Sequence, residues 1–358
     1  MSRKFTRREF CAWSGAAAAM LPNVMRAESH DSLRELAARS GRLFGSPLFP
    51  QDFQRPELLR LFAEQCSIIT NTVYMPKVHP DRDRFEFDVA ERVASFAKEH
   101  RLKMRGHALI YRLADWVEGA INPKNVEQIL RKHVSTVARH FAGQMHSWDV
   151  VNEIIDPKSD RPDRLRDNAF LRVMGPEYIE VAFRAAAEAD PGSLLAYNEF
   201  GIHNDAPDNE DKRHAVMSLL EKLKSKSVPI GALGIQSHLN ANGSGFHSRK
   251  LRPFLKEVAD MGLEIFITEL DVADKNLQGS IAERDRAVAE MYEQFLEIVL
   301  EEKAVTLVLT WGLHDGDSWL QKTQPRPDGQ HVRTLPFDDD LRAKPVFEAM
   351  ARAFKKHG

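Results

Sequence analysis

Cysteine is nearly absent from this chain: Cys11 and Cys66 are the two among 358 residues. A disulfide-stapled scaffold is therefore excluded. No CxxC pair and no His/Cys cluster points to zinc or an iron–sulfur centre, and no metal or other cofactor is expected. Charge of one sign is equally scarce: 50 Lys and Arg balance 52 Asp and Glu, for a formal net charge of −2. Without a basic patch, nucleic acid is not an expected partner. No apolar run reaches the roughly 20 residues that a membrane span needs. No glycine-rich phosphate loop follows an early strand, which argues against a doubly wound dinucleotide fold. No Pro-, Gly- or Ser-rich linker, fixed-period repeat or low-complexity tract divides the sequence. What remains is ordinary globular composition, 43% hydrophobic and 28% charged, at a length that suits two average domains or one large α/β barrel.

The first residues differ from the rest. MSRKFTRREF is basic, and the small-residue apolar run CAWSGAAAAMLP follows. This is the order of an export signal. Arg7 and Arg8, with Phe10 after them, look like the twin-arginine pattern, whose route is associated with export of folded proteins. Residues 1–27 are read as that signal, with cleavage near Ala27 although Met25 fits the −3 place badly. The expectations are passage through the twin-arginine machinery and a periplasmic or secreted product. Cys11 leaves with the signal. Cys66, in the apolar stretch LLRLFAEQCSIIT, is then the lone thiol of the mature chain and is expected to be a buried core residue.

From residue 40 onward, short apolar runs alternate with longer amphipathic ones. Strands are expected at 41–46, 67–71, 103–110, 146–152, 193–198, 232–238, 264–270 and 306–311. Apolar spacing of 3.6 residues predicts helices over 88–100, 125–141, 176–190, 211–225 and 284–302, with a last helix in the tail 342–358. Eight strands alternating with helices predict one α/β domain, a single (β/α)₈ TIM barrel over 28–358.

In such a barrel the chemistry sits at the C-terminal ends of the strands. Those ends are polar here. The second candidate ends in Asn71, the third carries His107, and the fourth ends WDVVNE with Asn152 and Glu153. The fifth ends in Asn198 and Glu199, the sixth in Gln236, Ser237 and His238, and the seventh in Glu269 followed by Asp271. The eighth carries Trp311, with Asp315, Ser318 and Trp319 beyond it. Singly, such residues are packing, turns or satisfied core groups. Together they converge on one mouth, for which stability gives no reason. Two carboxylates from opposite parts of the barrel, Glu153 and Glu269, fit cleavage of a glycosidic bond, one as acid and then base, the other attacking the anomeric carbon. A separation of roughly 5 Å means retention and about 6.5–9.5 Å inversion. Trp311 and Trp319 suit a sugar platform.

WDVVNE (148–153), LGIQSHL (233–239), ITELDV (267–272) and WGLHDGDSW (311–319) resemble the glycoside hydrolase family 10 xylanases, with RGHALIY (105–111) and YNEF (197–200) as less complete signatures. The resemblance covers nearly the whole mature chain. It implies a (β/α)₈ barrel with retaining endo-β-1,4-xylanase activity on xylan, Glu153 as acid/base and Glu269 as nucleophile. It further implies that Asn152 binds the sugar 2-hydroxyl and that His238 holds Glu269 while Asp271 orients the imidazole. Gln236 and His107 would line the −1 subsite, and Trp311 and Trp319 would pack on the sugars. The chemistry needs only water, and a monomer is expected.

The departures lie at the glycone side. Where the family usually has Glu-Asn-Ala-Met-Lys-Trp, this chain has TNTVYM (70–75): Asn71 is kept, while Thr70, Tyr74 and Met75 replace a carboxylate, a lysine and a tryptophan. The usual Trp-His becomes Tyr111-Arg112, and Asn-Asp-Tyr becomes Asn198-Glu199-Phe200. Tyr74 and Arg112 would therefore meet a different or acidic sugar, Arg112 being the candidate for a carboxylate. The leading expectation is xylan hydrolysis. Its rivals are the same chemistry on another β-linked polymer, such as an exopolysaccharide, and a glycan-binding barrel without turnover.

Overall fold

Eight parallel strands close on themselves in the computed structural model, which describes residues 31–243 and 248–358. They are β1 (Leu43–Pro47), β2 (Ile68–Thr72), β3 (Lys103–Ile110), β4 (Ser147–Asn152), β5 (Leu194–Glu199), β6 (Ala232–Ile235), β8 (Glu264–Ala273) and β9 (Val305–Thr310). A short β7 (His238–Asn240) runs beside the end of β8, with His238 opposite Asp271. β1 pairs with both β2 and β9, and β6 pairs with β8, so the sheet has no free edge. This is the expected single (β/α)₈ barrel. The expected export signal, residues 1–27, lies outside the described residues.

Helix α1 (Leu33–Arg39) precedes the barrel. One longer helix follows each barrel strand in turn: α2 (Pro56–Gln65), α3 (Asp88–His100), α4 (Val126–His140), α5 (Glu177–Ala189), α6 (Pro207–Ser225), α7 (Ser248–Asp260), α8 (Ile281–Val299) and α9 (Pro345–Lys356). Helix α3 shows why such segments fold. Its buried residues are Ala90, Val93, Ala94, Phe96 and Ala97, one face of a 3.6-residue period. Two starts fall earlier than periodicity predicts. α8 begins at Ile281 because Ser280 and Glu283 form a reciprocal capping box, and α6 begins at Pro207 because proline suits the first helical position. α7 is not among the expected helices. Pro253 reads as a breaker, yet Leu251, Phe254, Leu255 and Val258 form one buried stripe that tertiary packing rewards. Among the described residues no helix is long and apolar enough to cross a membrane.

The core has two main parts. Ile68, Ala196, Ala232, Phe266, Leu307 and Leu309 plug the barrel interior. The larger cluster fills the layer between sheet and helices and takes in Cys66, fully buried as expected. Trp148 is wholly buried, its indole N–H donating to Asp190 at 2.9 Å. Its ring lies against Gly106, where a Cβ would sit 2.1 Å from Cε3, so only glycine fits in that strand.

Three strands lose regular register: β3 and β4 near their C-terminal ends, between His107 and Ile110 and between Asp149 and Val151, and β8 in its middle, between Ile267 and Leu270. Asp149 and Asn152 are three residues apart, which in a regular strand sends them to opposite faces. Here both point into the barrel, because the irregularity re-aims the chain between them. The sixth expected strand is also broken: β6 stops at Ile235, and His238 belongs to β7.

Candidate active site

Glu153 is the first residue beyond β4. Its φ of 54° lies in the left-handed region that non-glycine residues rarely adopt. Its backbone N–H donates to the Asn198 carbonyl at 2.9 Å, and the N–H of Ile155, two residues on, donates to Glu199 Oε2 at 3.1 Å. These bonds hold the turn, and the turn aims a half-buried carboxylate into a cleft. There Oε1 accepts a hydrogen bond from Gln236 Nε2 at 3.1 Å.

Glu269 faces the same cleft from β8 and is nearly buried. Oε1 accepts from Asn198 Nδ2 at 2.8 Å, and Oε2 lies 3.3 Å from His238 Nε2. Burial alone would raise its pKa. The hydrogen bond from His238, with the proximity of His107, the His238 cation and Arg105, outweighs burial and holds the carboxyl below its ordinary range. His238 is shifted the other way. Burial would lower it, but Asp271, whose Oδ1 is 2.9 Å from Nδ1, and Glu269 on the other nitrogen push it up to about 10. At neutral pH this imidazole is a cation donating from both nitrogens. The second oxygen of Asp271 accepts from Trp319 Nε1 at 2.7 Å, so one carboxylate orients both His238 and the tryptophan.

A pH dependence follows. A histidine in the unfolded chain titrates near about 6.5, and His238 does so near 10 when folded. Its contribution to stability is then full below the unfolded value and is lost as pH rises from about 6.5 through 10. The urea midpoint of the parent should fall across that window. It should fall less in Asp271→Asn, where the imidazolium has lost its largest stabiliser. Parallel slopes for the two proteins would refute this account.

Asn198 links the two carboxylate sites. Its amide donates to Asn152 Oδ1 and to Glu269 Oε1, each at 2.8 Å, and its carbonyl accepts from the Thr268 hydroxyl at 2.7 Å. Gln236 Nε2 lies 3.4 Å from the same Asn152 oxygen. The Nδ2 of Asn152 is buried and has no protein partner, which leaves a donor at the cleft beside both carboxylates. Gly234 makes room for the amide: a Cβ there would sit 2.2 Å from Asn198 Oδ1. Gly234→Ala should cost about 1–3 kcal/mol, the usual penalty for overpacking, and should slow turnover by displacing Asn198. Urea unfolding and initial rates measure the two effects, and a variant with parental values in both would refute the assignment.

Beneath the mouth, Arg105 and Asp149 form a fully buried ion pair, and Asp149 Oδ2 also lies 2.6 Å from His107 Nδ1. His107 Nε2 is 3.9 Å from Glu269. This pair orients His107 and was not among the expected site residues. Opposite charges in two adjacent strands of otherwise apolar pattern were the available signal, since buried charges must pair.

The cleft encloses about 400 Å³. Its walls are Tyr74, His107, Tyr111, Arg112, Asn152, Glu153, Phe200, Gln236, His238, Glu269, Trp311 and Trp319. Eleven of the expected site residues are thus brought together, and Phe200 joins them. Asn198 and Asp271 sit directly behind, bonded to Glu269 and His238. Asn71 is placed elsewhere: its amide donates to the Ala90 carbonyl of α3 at 2.9 Å, and it does not line the cleft. The reason is the period-2 alternation of β2, which turns that side chain toward the helix layer.

A sequence model of the Glycosyl hydrolase family 10 matches residues 32–353. The chain belongs to glycosyl hydrolase family 10. It is 33% identical over 283 residues to an endo-1,4-beta-xylanase B of Thermotoga neapolitana, covering 78% of each chain. It is 34% identical over 300 residues to endo-1,4-beta-xylanase A of Thermoanaerobacterium saccharolyticum and 33% over 301 residues to exoglucanase XynX of Acetivibrio thermocellus. The chain spans 24% and 26% of the length of these last two relatives. Among solved structures, native xylanase 10B from Thermotoga maritima superposes with a TM-score of 0.82 at 32% identity, covering 91% of this chain and 98% of that one. Xylanase 10B from Thermotoga petrophila in complex with xylobiose gives 0.82 at 31%, with the same coverage.

Within this family 10 chain the glycone side is built differently from the motif expected there. Thr70 and Met75 are fully buried and contribute nothing to the cleft: the Thr70 hydroxyl accepts from Arg105 at 3.4 Å, and Met75 belongs to the core. Tyr74 takes the space, its ring centroid 5.4 Å from His107 and 5.6 Å from Tyr111. Arg112 stands exposed at the rim, 5.5 Å above the Tyr111 ring. On the far side Trp311 packs edge-on against Phe49 and His107, which fixes its plane.

Proposed function

We propose that this chain is a retaining endo-β-1,4-xylanase, cutting internal bonds of xylan by double displacement. One observation carries the reading. Glu269 is held ionised by His238 and Asn198, while Glu153 faces it across one cleft from a different strand. Glu269 then attacks the anomeric carbon as Glu153 gives its proton to the departing oxygen. Glu153, now a carboxylate, takes a proton from the water that opens the glycosyl-enzyme. The free Nδ2 of Asn152 suits the 2-hydroxyl, a contact that strengthens as the sugar gains oxocarbenium character. The named xylanase relatives and the xylobiose complex of a structural neighbour support the substrate class. Linear xylan should yield reducing ends, and proton NMR should show the β-anomer first. Initial α-anomer would mean inversion and end the double-displacement reading.

A second reading concerns the decoration of the polymer. Arg112 and Lys77 stand near one another at the glycone end, and no ion pair with a carboxylate is formed by either among the described residues. Lys77 meets the Thr72 hydroxyl at 3.4 Å and the Tyr74 ring at 5.2 Å, and its pKa is lowered by burial and by the charge of Arg112. Two cations without acidic partners favour a chain carrying uronic acid groups. The ratio of kcat/KM on acidic over neutral xylan should fall in Arg112→Gln. An unchanged ratio would remove the decoration reading and leave the xylanase reading intact.

Export rests on Arg7, Arg8 and the apolar run after them. Activity should move from the periplasm or medium to the cytoplasm when both arginines become lysine, and an unaltered distribution would refute the twin-arginine route.

A further inference from the structure

Glu199 is fully buried at the end of β5, one residue beyond the Asn198 that touches the nucleophile. Its Oε2 accepts the Ile155 N–H at 3.1 Å and the Tyr197 hydroxyl at 2.6 Å. Its Oε1 accepts the Phe200 N–H at 3.0 Å and meets the Lys212 ammonium at 2.7 Å. Lys212 comes from α6, and its side chain is only 1% exposed. The ammonium otherwise faces an aromatic surface, standing 3.1 Å from the centroid of the Phe200 ring. Phe200 in turn forms the cleft wall.

Taking two charges out of water is costly, and an apolar pair of similar volume would often serve stability equally well. What this pair does beyond stability follows from what it touches. Ile155 lies two residues after Glu153, whose φ of 54° must be held against local preference. The backbone of that turn is gripped from β5 at two points, by the Asn198 carbonyl on Glu153 and by the Glu199 carboxylate on Ile155. Lys212 fixes the carboxylate that makes the second grip, and the same ammonium backs the Phe200 ring in the wall of the cleft that holds the acid/base. Burial raises the Glu199 carboxyl and lowers the Lys212 ammonium, so removing either partner leaves the other in a poor environment.

We propose that the buried Glu199–Lys212 pair is a positioning device for the acid/base. It clamps the strained turn that aims Glu153 and seats Phe200 in the wall of the same cleft. Both residues are positioning residues, since they act through Glu153 and Phe200. The inference rests on the reading of Glu153 as acid/base.

The test compares two aryl β-xylobiosides by kcat/KM, which reports the first bond cleavage. Phenolate needs a proton to depart and 2,4-dinitrophenolate does not. In Lys212→Met, kcat/KM on the phenyl glycoside should fall roughly 10- to 100-fold, the scale of a catalytic group displaced by about 1 Å. On the dinitrophenyl glycoside it should stay within about twofold of the parent. Should Lys212→Met fail to fold, the double variant Glu199→Gln with Lys212→Met removes both charges and keeps an acceptor for Ile155, and the same split is expected. Equal losses on both glycosides, or none on either, would overturn the proposal. Failure of the underlying reading is distinguishable: Glu153→Ala would then lose both substrates equally.

Discussion

Glu269→Ala should lower kcat/KM on xylan and on every aryl β-xylobioside by roughly 10⁴- to 10⁶-fold, the range seen when a covalent nucleophile is removed from a preorganised site. Among the described residues no other carboxylate is placed to take over. Asp271 has one oxygen against His238 and the other against the Trp319 N–H, and Asp149 is sealed below the mouth by Arg105. The loss should be equal for good and poor leaving groups, because no covalent bond to the sugar forms with either. Sodium azide can enter the space that the side chain vacates and should restore cleavage of activated glycosides, giving the α-glycosyl azide. The fold should survive. His238 keeps Asp271 as its partner, and Asn198 keeps Asn152 and Thr268, so the urea midpoint should stay close to the parental one. A well-folded Glu269→Ala enzyme with parental turnover would refute the assignment.

Glu153→Ala should divide substrates by leaving group. On xylan and phenyl xylobioside the loss should be about 10²- to 10⁴-fold, the usual contribution of a general acid. On 2,4-dinitrophenyl xylobioside kcat/KM should remain near parental, because that phenolate departs unaided. Its kcat should still drop, since water attacking the glycosyl-enzyme loses its base. A burst of dinitrophenolate before a slow steady state should appear. Azide, needing no base, should remove the slow phase and give the β-glycosyl azide. The opposite anomers from the two variants identify which carboxylate does which job. Equal losses on all glycosides, without a burst, would sink the acid/base role of Glu153.

The residues proposed to carry the chemistry were legible because they break the local pattern. A buried apolar strand that ends Asn-Glu, as β4 does, or that holds Thr-Glu-Leu-Asp in its last half, as β8 does, sets desolvation cost against sequence habit, and only a cleft resolves that. The interior of the site was less legible. Arg105 and Asp149 sit in strands that read as apolar, and Lys212 sits in the middle of a helix whose other lysines are solvated. Each of these reads as a surface charge until the partner from a distant part of the chain is known. Asn71 errs the other way: motif position suggests a cleft residue, and strand alternation turns it toward α3.

Sequence by itself determined the barrel, its strand order and the two carboxylates, because hydrophobic period, alternating elements and polar strand ends are local properties of the chain. Tertiary structure alone decided the state of those carboxylates. Glu269 is ionised because His238, Asn198, His107 and Arg105 reach it from three other strands. Glu153 faces it because irregular register in β4 and a left-handed turn, gripped from β5, aim the chain inward. Hydrogen bonds and Coulomb forces act over a few ångströms of space, and barrel closure sets which residues come that close.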